Sequence, residues 1–296
     1  MAQYSIKELE HLSGIKAHTI RIWEQRYGIL SPQRTETNIR YYNDTDLKTI
    51  LNISVLNEQG YKISKIAKMT RQQLGELVEQ LTLQRTPDSQ ILNTLLLAMI
   101  EMDEERFDKL LTTIILQKGL EQTMLETICP LQIKIGLLWQ TGCIMPAHEH
   151  FVSNIIRQKL FVAIDGQVPV NRATAARFLL FLPEGELHEI GLLFSYYLLR
   201  KRGFHVLYLG QHQPVADIQA TVNSYHPHYI CTALNVVPEQ EHVQRYINQL
   251  VQMAPDVTIF ISGYLVQNPQ LVFPTSVIQV SSLPHFIQLL DKTKSV

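Results

Sequence analysis

Residues 184–191 read Glu-Gly-Glu-Leu-His-Glu-Ile-Gly and place a histidine between two strongly apolar stretches of the chain. Histidine is the commonest protein ligand of metal ions, through either ring nitrogen. Gly191 follows His188 by about one helical turn, and its missing side chain permits a bulky group to approach closely. These residues predict a cofactor site at His188. The alternative is an ordinary histidine at the start of a helix, held by a neighbouring glutamate.

The surroundings of His188 predict a parallel sheet. Short apolar runs alternate with amphipathic helical stretches, a pattern typical of strands that are covered on both faces. His188 follows the first of these strands directly, and open α/β sheets bind ligands beyond the carboxyl ends of their strands. The predicted strands are 177–182, 205–210, 229–234, 257–263 and 277–280.

The middle of the chain predicts helices only. Apolar residues recur at helical spacing through residues 89–165, which favours a bundle of about four helices. Taken alone, Trp139 is a core residue of that bundle, and Glu149-His150 is a polar pair at the start of a helix.

The first residues predict a helix-turn-helix followed by a wing. Ser5 is a suitable N-cap for a helix that ends at Gly14, and a second helix carries Ile20, Trp23 and Tyr27. A polar stretch and Ile-Arg-Tyr-Tyr then predict a small hairpin. Residues 4–42 resemble the MerR family of transcriptional regulators. The matching pieces are Tyr4-Ser5-Ile6, Gly14-Ile15, Thr19-Ile20-Arg21, Trp23-Glu24, Arg26-Tyr27-Gly28, Leu30, Pro32, Arg34 and Arg40-Tyr41.

This resemblance implies binding to double-stranded operator DNA as a dimer or higher oligomer. Basic side chains gain affinity by releasing the counterions of phosphates, while hydroxyl groups donate to phosphate oxygens and position the protein. Base reading is expected from the start of the second helix. The predicted DNA-binding residues are Lys16, His18, Thr19, Arg21, Arg26, Tyr27, Arg34, Arg40 and Tyr41.

The segment around His188 also has a family resemblance. Glu186-Leu-His188-Glu-Ile-Gly191 is similar to the Asp-x-His-x-x-Gly motif of cobalamin-binding domains, in the Glu form of cobalamin-dependent MerR-type regulators of the CarH and LitR kind. The resemblance implies that His188 is the lower axial ligand of cobalt and that Glu186 orients its ring. Two later markers of the family are Thr232-Ala-Leu234 and Ser262-Gly263.

The same regulators carry Trp, nine residues, then Glu-His in their bundle, and this chain has Trp139 followed by Glu149-His150. The resemblance implies that Trp139 covers the upper face of the corrin beside the adenosyl group, with Glu149 and His150 facing the same cavity. The implied cofactor is adenosylcobalamin.

Three residues depart from the family pattern. Thr232 stands for serine and keeps its hydroxyl, whereas Ser262 stands for glycine and narrows the slot that the nucleotide tail would enter. Gln140 stands where light-sensing members have a histidine that can bind cobalt after photolysis, and an amide is a poorer cobalt ligand than imidazole.

The predicted architecture is therefore multi-domain, α and α/β. Residues 1–78 are expected to form the winged helix-turn-helix, 86–166 a four-helix bundle, and 174–296 a flavodoxin-like, Rossmann-type parallel sheet. The composition, 46% hydrophobic and 18% charged, favours compact folding, and the net charge of −1 decides nothing about partners. Three scattered cysteines and the absence of a signal core or a long uncharged apolar run predict a cytoplasmic protein without a membrane span.

Three functions compete. The first is a transcriptional repressor controlled by adenosylcobalamin, and by light, through its oligomeric state, dimer or tetramer. The second is a MerR-type regulator whose C-terminal half is a cofactor-independent oligomerisation or protein-interaction module, which the departures at Thr232, Ser262 and Gln140 favour. The third, an enzyme such as a corrinoid methyl carrier or a mutase component, is disfavoured by the DNA-reading segment, so no catalytic residues are expected.

Overall fold

The computed structural model describes residues 4–35, 38–82, 88–140, 144–167, 175–236 and 240–293. The chain divides into two compact units, Met1–Ile155 and Ile156–Val296. No helix in the described ranges is both long enough and apolar enough to cross a membrane.

The first unit begins with the predicted helix-turn-helix. Helix α1, Ile6–Ser13, starts at a capping box of Ser5 and Glu8 and ends at Gly14, whose φ of 72° is in the left-handed region that glycine tolerates best. The second helix of the motif is α2, Ala17–Tyr27. Strands β1, Gln33–Arg34, and β2, Arg40–Tyr41, pair antiparallel and form the predicted wing.

Helices complete the first unit. They follow as α3 (Asp44–Glu58), α4 (Ile63–Ile66), α5 (Arg71–Thr82), α6 (Asp88–Glu101), α7 (Glu104–Lys118), α8 (Leu120–Thr123), α9 (Cys129–Gln140) and α10 (Pro146–Asp165), which runs on into the second unit. A π-helical segment, Met124–Ile128, joins α8 to α9 without a break. The rings of Phe107 and Phe151 meet edge to face at 6.1 Å between centroids in the core of this unit.

The second unit is the predicted parallel sheet. Its strands are β3 (Arg177–Pro183), β4 (His205–Gln213), β5 (Tyr229–Ala233), β6 (Thr258–Ser262) and β7 (Val277–Gln279), and its helices are α11 (Ile190–Lys201), α12 (Val215–Tyr225), α13 (Gln240–Met253) and α14 (Leu283–Thr293). The strand order is β4-β3-β5-β6-β7, and all neighbours are parallel. The fold class inferred from the sequence is therefore confirmed.

Both faces of the sheet are covered, as the apolar strands require. On one face, Leu179 and Ile259 pack with residues of α12 and α13, such as Ile218 and Ile247. Aromatic rings fill the other face, where Phe178 stacks on Tyr229 and Phe260 meets Phe286 of α14 edge to face. The first strand, β3, lies between β4 and β5, so the strand order reverses between β3 and β5. The carboxyl ends of these two strands therefore flank the switch point of the sheet.

Gly263 closes the turn after β6 in contact with the end of β5. Its φ is 110°, and an added Cβ would overlap the backbone of Leu234. Leu234 N–H also donates to Ser262 O at 2.8 Å, so the two strand ends cannot separate without losing this bond.

We therefore expect Gly263→Ala to lower the free energy of unfolding by at least about 2 kcal/mol, through strain and backbone overlap. Gly191→Ala is the matched control, since a Cβ there meets no atom within 4 Å. Chemical denaturation followed by circular dichroism measures both. Equal stability of the two variants would contradict the tight turn at Gly263.

Candidate functional site

The loop between β3 and α11 presents His188 at the carboxyl edge of the sheet. The loop spans residues 184–189, and the side chain of His188 is 63% exposed. The structure therefore places this histidine where the sequence predicted it, in the second unit and beside the switch point.

Glu186 orients the imidazole ring of His188 through a hydrogen bond to Nδ1. Its side chain is fully buried, and its Oε1 accepts hydrogen bonds from His188 Nδ1 at 2.6 Å and from the backbone N–H of His188 at 2.9 Å. Its other oxygen, Oε2, accepts from the backbone N–H groups of Asn235 and Val236 at 2.7 and 2.9 Å. One carboxylate therefore fixes the ring and joins the loop after β3 to the loop after β5.

The same contacts keep Glu186 ionised. Burial alone would raise the pKa of this carboxyl, but the hydrogen bonds from His188, Asn235 and Val236 outweigh it and lower the pKa to about 2. Next to an ionised carboxylate, Nδ1 is the protonated ring nitrogen. Nε2 is then the atom through which His188 can bind a metal ion.

Strand β4 supports the same loop. His212 Nδ1 accepts from the backbone N–H of Gly185 at 2.9 Å, and the side-chain amide of Gln211 donates to Leu187 O at 2.7 Å. His212 adopts a positive φ of 54°, which is uncommon for a residue other than glycine. The spacing of His212 in the sequence gives no signal of this role.

Glu189, the neighbour of His188, anchors the end of the loop to α10. Its buried carboxylate lies 2.6 Å from Arg157 Nη2 and accepts from Tyr208 OH at 2.8 Å. Burial, and then the contact with Glu189, raise the pKa of Tyr208. Sequence reasoning missed this ion pair because nothing in the local pattern of α10 relates Arg157 to the loop.

Exposed apolar side chains lie on the loops at this edge of the sheet. Leu187, Val236 and Tyr264 are 60%, 54% and 78% exposed, and they follow β3, β5 and β6 respectively. We call these three residues the apolar rim. Gly191 adds open space at the first turn of α11. A polar metal ligand among exposed apolar residues suits a large ligand with an apolar face and a central metal ion.

The later family markers lie deeper than the rim. Thr232 is 2% exposed, and its hydroxyl has no hydrogen-bond partner within the described part of the chain. Leu234 is fully buried, and Gly263 forms the tight turn described above. Ser262 Oγ donates to the backbone carbonyl of Thr232 at 3.4 Å, so it links β6 to β5.

The residues predicted to face the upper side of the cofactor all lie in the first unit. Trp139 is 58% exposed near the end of α9. On α10, Glu149 accepts a hydrogen bond from Ser153, and His150 Nε2 lies 3.6 Å from a Glu149 oxygen. The side chain of Gln140 lies outside those that the structure describes. The roles of these residues toward a cofactor stay predictions.

The helix-turn-helix presents a basic, exposed surface on α2. His18, Arg21 and Arg26 are exposed, and Thr19 and Tyr27 are half-buried. Lys16, just before the helix, lies 3.2 Å from Glu10 but keeps an 82% exposed side chain. Apart from Lys16, these residues lie on one element, α2, as a recognition helix requires.

The wing residues make contacts within the protein. Arg40 Nε lies 3.2 Å from Glu24, which also accepts from Tyr42 OH at 3.0 Å, so Arg40 ties the wing to α2. At the tip, Arg34 donates to Asn38 and Tyr41 OH donates to Gln33, both at 2.6 Å. DNA contact by Arg34, Arg40 and Tyr41 stays a prediction, and a structural role for Arg40 is evident beside it.

Two family models match segments of the chain that lie before the sheet. The MerR HTH family regulatory protein model matches residues 4–73, and the B12 binding domain model matches residues 91–163. The chain is a MerR-type regulator with a cobalamin-binding region.

Two curated relatives are transcriptional repressors of Myxococcus xanthus. The HTH-type transcriptional repressor CarH is 28% identical over 276 residues, with 91% of each chain covered. The HTH-type transcriptional repressor CarA is 28% identical over 226 residues, with 75% of this chain and 73% of that protein covered. In fold, the chain is similar to the monomethylamine corrinoid protein of Methanosarcina barkeri, at a TM-score of 0.53, 11% identity, and coverage of 70% of this chain and 100% of that one.

We expect Arg157→Met to destabilise the protein by about 2 kcal/mol, because it removes the cation that pairs with the buried Glu189 carboxylate. The loss is smaller than for a fully buried ion pair because water reaches the Arg157 side chain, which is 38% exposed. Arg157→Lys keeps the charge and serves as the control with a smaller loss. Urea denaturation measures both. If the methionine variant equals the wild type, the ion pair does not hold the loop.

We expect Arg21→Gln to weaken binding to operator DNA and to reduce the dependence of log K on log salt by about one, because one phosphate contact is lost. Lys292→Gln on α14 removes the same charge from an exposed position far along the sequence and is the control. Fluorescence anisotropy over a range of salt concentrations measures the slope. An unchanged slope would exclude Arg21 from the DNA interface.

Proposed function

We propose that this protein is a transcriptional repressor whose affinity for double-stranded operator DNA is controlled by adenosylcobalamin bound at His188. The matches above support a transcriptional regulator with a helix-turn-helix and a B12-binding region. The adenosyl form, the response to light and the control through oligomeric state, dimer or tetramer, are parts of the proposal.

The observation that carries the proposal is the contact of His188 with Glu186. The 2.6 Å hydrogen bond assigns the proton to Nδ1 and leaves Nε2 for a metal ion, while Gly191 and the apolar rim leave room for a macrocycle. The residues present therefore fit a corrinoid. Such a cofactor supplies a weak cobalt–carbon bond that light can break.

The predicted cofactor-site residues each have a defined task in this proposal. Glu186 orients His188, and His188 is the lower ligand. The buried hydroxyl of Thr232, which lacks a partner among the described residues, is a polar group that a ligand can satisfy if the region opens. Thr232, Leu234 and Gly263 are assigned to the nucleotide tail, and Trp139, Glu149 and His150 to the upper face.

Control of DNA binding requires that the cofactor favours one assembly over another. A ligand shifts an equilibrium only by its difference in affinity for the two states. We assign the high-affinity DNA-binding state to the cofactor-loaded oligomer, since several helix-turn-helix units on one operator bind more tightly than one. Gln140 favours a weaker end state after illumination than a histidine at that position would give.

A second candidate is a regulator whose C-terminal half works without a cofactor. The burial of Thr232 favours it, since a hydroxyl with no exposed surface does not meet a ligand unless the protein rearranges. In that case the apolar rim is a protein contact surface, and operator binding is indifferent to cobalamin and light.

Absorption spectroscopy of the protein mixed with adenosylcobalamin in the dark distinguishes the two. We expect a stoichiometric corrinoid spectrum and cofactor-dependent operator binding in gel-shift assays. His188→Ala and Glu186→Gln should each weaken cofactor binding by at least about tenfold, because one removes the ligand and the other its orienting charge.

His285→Ala, which removes a half-buried histidine that is hydrogen-bonded to Ser281, is the control and should bind normally. The proposal fails if the wild type retains no corrinoid, or if His188→Ala binds as tightly as the wild type. Green illumination followed by size-exclusion chromatography then tests whether the oligomer dissociates.

A further inference from the structure

The end of β4, residues 209–213, is irregular where it lies beside the end of β3. Three steps along β3, from Leu180 to Pro183, match five steps along β4, from Tyr208 to Gln213. Strand β4 therefore has two more residues than β3 over the same length, which makes this segment a bulge. Bulges are uncommon between parallel strands, and those beside functional sites redirect a side chain. We call residues 209–213 the β4 bulge.

The backbone of the β4 bulge is strained at His212. Its φ of 54° is in the left-handed region, which costs free energy for a residue other than glycine. Gly210 has a φ of 82° without this cost. The side-chain amide of Gln213 braces the bulge by donating to the carbonyls of Leu209 and Gln211, at 3.0 and 2.8 Å. A strained backbone persists only where the contacts around it hold it in place.

The β4 bulge contacts the loop between β3 and α11. Nδ1 of His212 accepts from the backbone N–H of Gly185 at 2.9 Å, and the backbone N–H of His212 donates to Glu186 O at 3.4 Å. The side-chain amide of Gln211 donates to Leu187 O at 2.7 Å. Two neighbouring residues of β4 therefore hold three consecutive residues of the loop, directly before the candidate metal ligand.

The ring of His212 has a defined hydrogen-bonding role in this arrangement. A backbone N–H only donates, so Nδ1 of His212 is the unprotonated ring nitrogen and Nε2 carries the proton. The N–H belongs to Gly185, whose φ of 85° turns the chain at the start of the loop. A turn held by an acceptor on a strand samples fewer conformations than a free turn. The bond therefore restricts the loop where it leaves β3.

Glu186 is fixed from both neighbouring strands of β3. Its carboxylate accepts from the loop after β5, through Asn235 and Val236, and its backbone carbonyl accepts from β4, through His212. Because Glu186 orients the imidazole of His188, a displacement of the Glu186 backbone moves that ring as well. The β4 bulge and the loop after β5 together set where Nε2 of His188 lies.

We propose that His212 is a positioning residue, which sets the place and direction of His188 Nε2 toward the cobalt of a corrinoid. This inference rests on the function proposed above. His212 does not contact the metal; it acts through the loop, as the outer partners of metal ligands do. A ligand must be held within about 0.5 Å of its productive position, and a loop meets this demand only when neighbouring elements support it. The hydrogen bond from Gly185 compensates the strain at His212.

Electron paramagnetic resonance of the cobalt(II) form measures the share of the protein in which histidine binds the metal. We expect His212→Ala to lower the ratio of histidine-bound to histidine-free cobalt about fivefold, the effect of one lost hydrogen bond. His212→Asn keeps an acceptor the same number of bonds from the backbone and tolerates a positive φ, so it should keep the wild-type ratio.

His226→Ala is the matched control. His226 is also an exposed histidine with a positive φ, 47°, and it caps the end of α12 instead of contacting the loop. The substitution makes the same chemical change in the same backbone region, so it should leave the ratio unchanged. A difference between the two alanine variants therefore reports the contact with Gly185 and not the strain.

Amide hydrogen exchange of the cofactor-free protein, followed by nuclear magnetic resonance, tests the same contact without cobalamin. The N–H of Gly185 should exchange at least about fivefold faster in His212→Ala, because its acceptor is gone. In His212→Asn and His226→Ala it should exchange at nearly the wild-type rate.

A wild-type exchange rate at Gly185 in His212→Ala would overturn the inference. Faster exchange with an unchanged ratio of histidine-bound cobalt would overturn it too, because the contact then has no effect on the metal bond. Equal losses in His212→Asn and His212→Ala would assign the effect to the bulk of the ring and contradict a role for Nδ1. If the wild type retains no corrinoid, the proposed function fails, while exchange at Gly185 still decides whether His212 holds the loop.

Discussion

The buried carboxylate of Glu186 is the contact on which the candidate cofactor site depends. It accepts two hydrogen bonds from His188 and one each from Asn235 and Val236. A buried charge is tolerated only when it is well satisfied, so the loops after β3 and β5 and the imidazole ring are fixed together. The histidine is thereby oriented before any ligand arrives, which lowers the cost of binding.

Much of this fold was predictable from the sequence, because apolar runs of strand length alternate with amphipathic helices. The position of His188 followed from the end of the first apolar run. The partners of Glu186 did not follow, since the flavodoxin-like strand order places β3 beside β5 but does not reveal which backbone groups after β5 reach the carboxylate. The ion pair of Arg157 and Glu189 and the support from His212 depend on the same three-dimensional neighbours.

In the helix-turn-helix, too, the elements were predictable from the sequence but the contacts between them were not. Its motif located the recognition helix and the wing correctly. It did not show that Glu24 binds both Arg40 and Tyr42, which gives Arg40 a structural role in holding the wing on α2. Helix α3 also contacts α6, through Lys48 with Glu101 and Gln59 with Gln90. Polar contacts therefore join α3, which follows the wing, to α6 at the start of the bundle.

The central claim, that the ring nitrogen opposite Glu186 binds the metal of a corrinoid, is tested most directly by electron paramagnetic resonance. The protein is labelled with ¹⁵N-histidine, loaded with cobalamin and reduced to the paramagnetic cobalt(II) form. The account predicts that the nitrogen splitting of the cobalt lines changes from a triplet to a doublet on labelling, and that this change is absent in His188→Ala. A triplet that persists in the labelled wild-type protein would show that the axial nitrogen is not from histidine and would contradict the account.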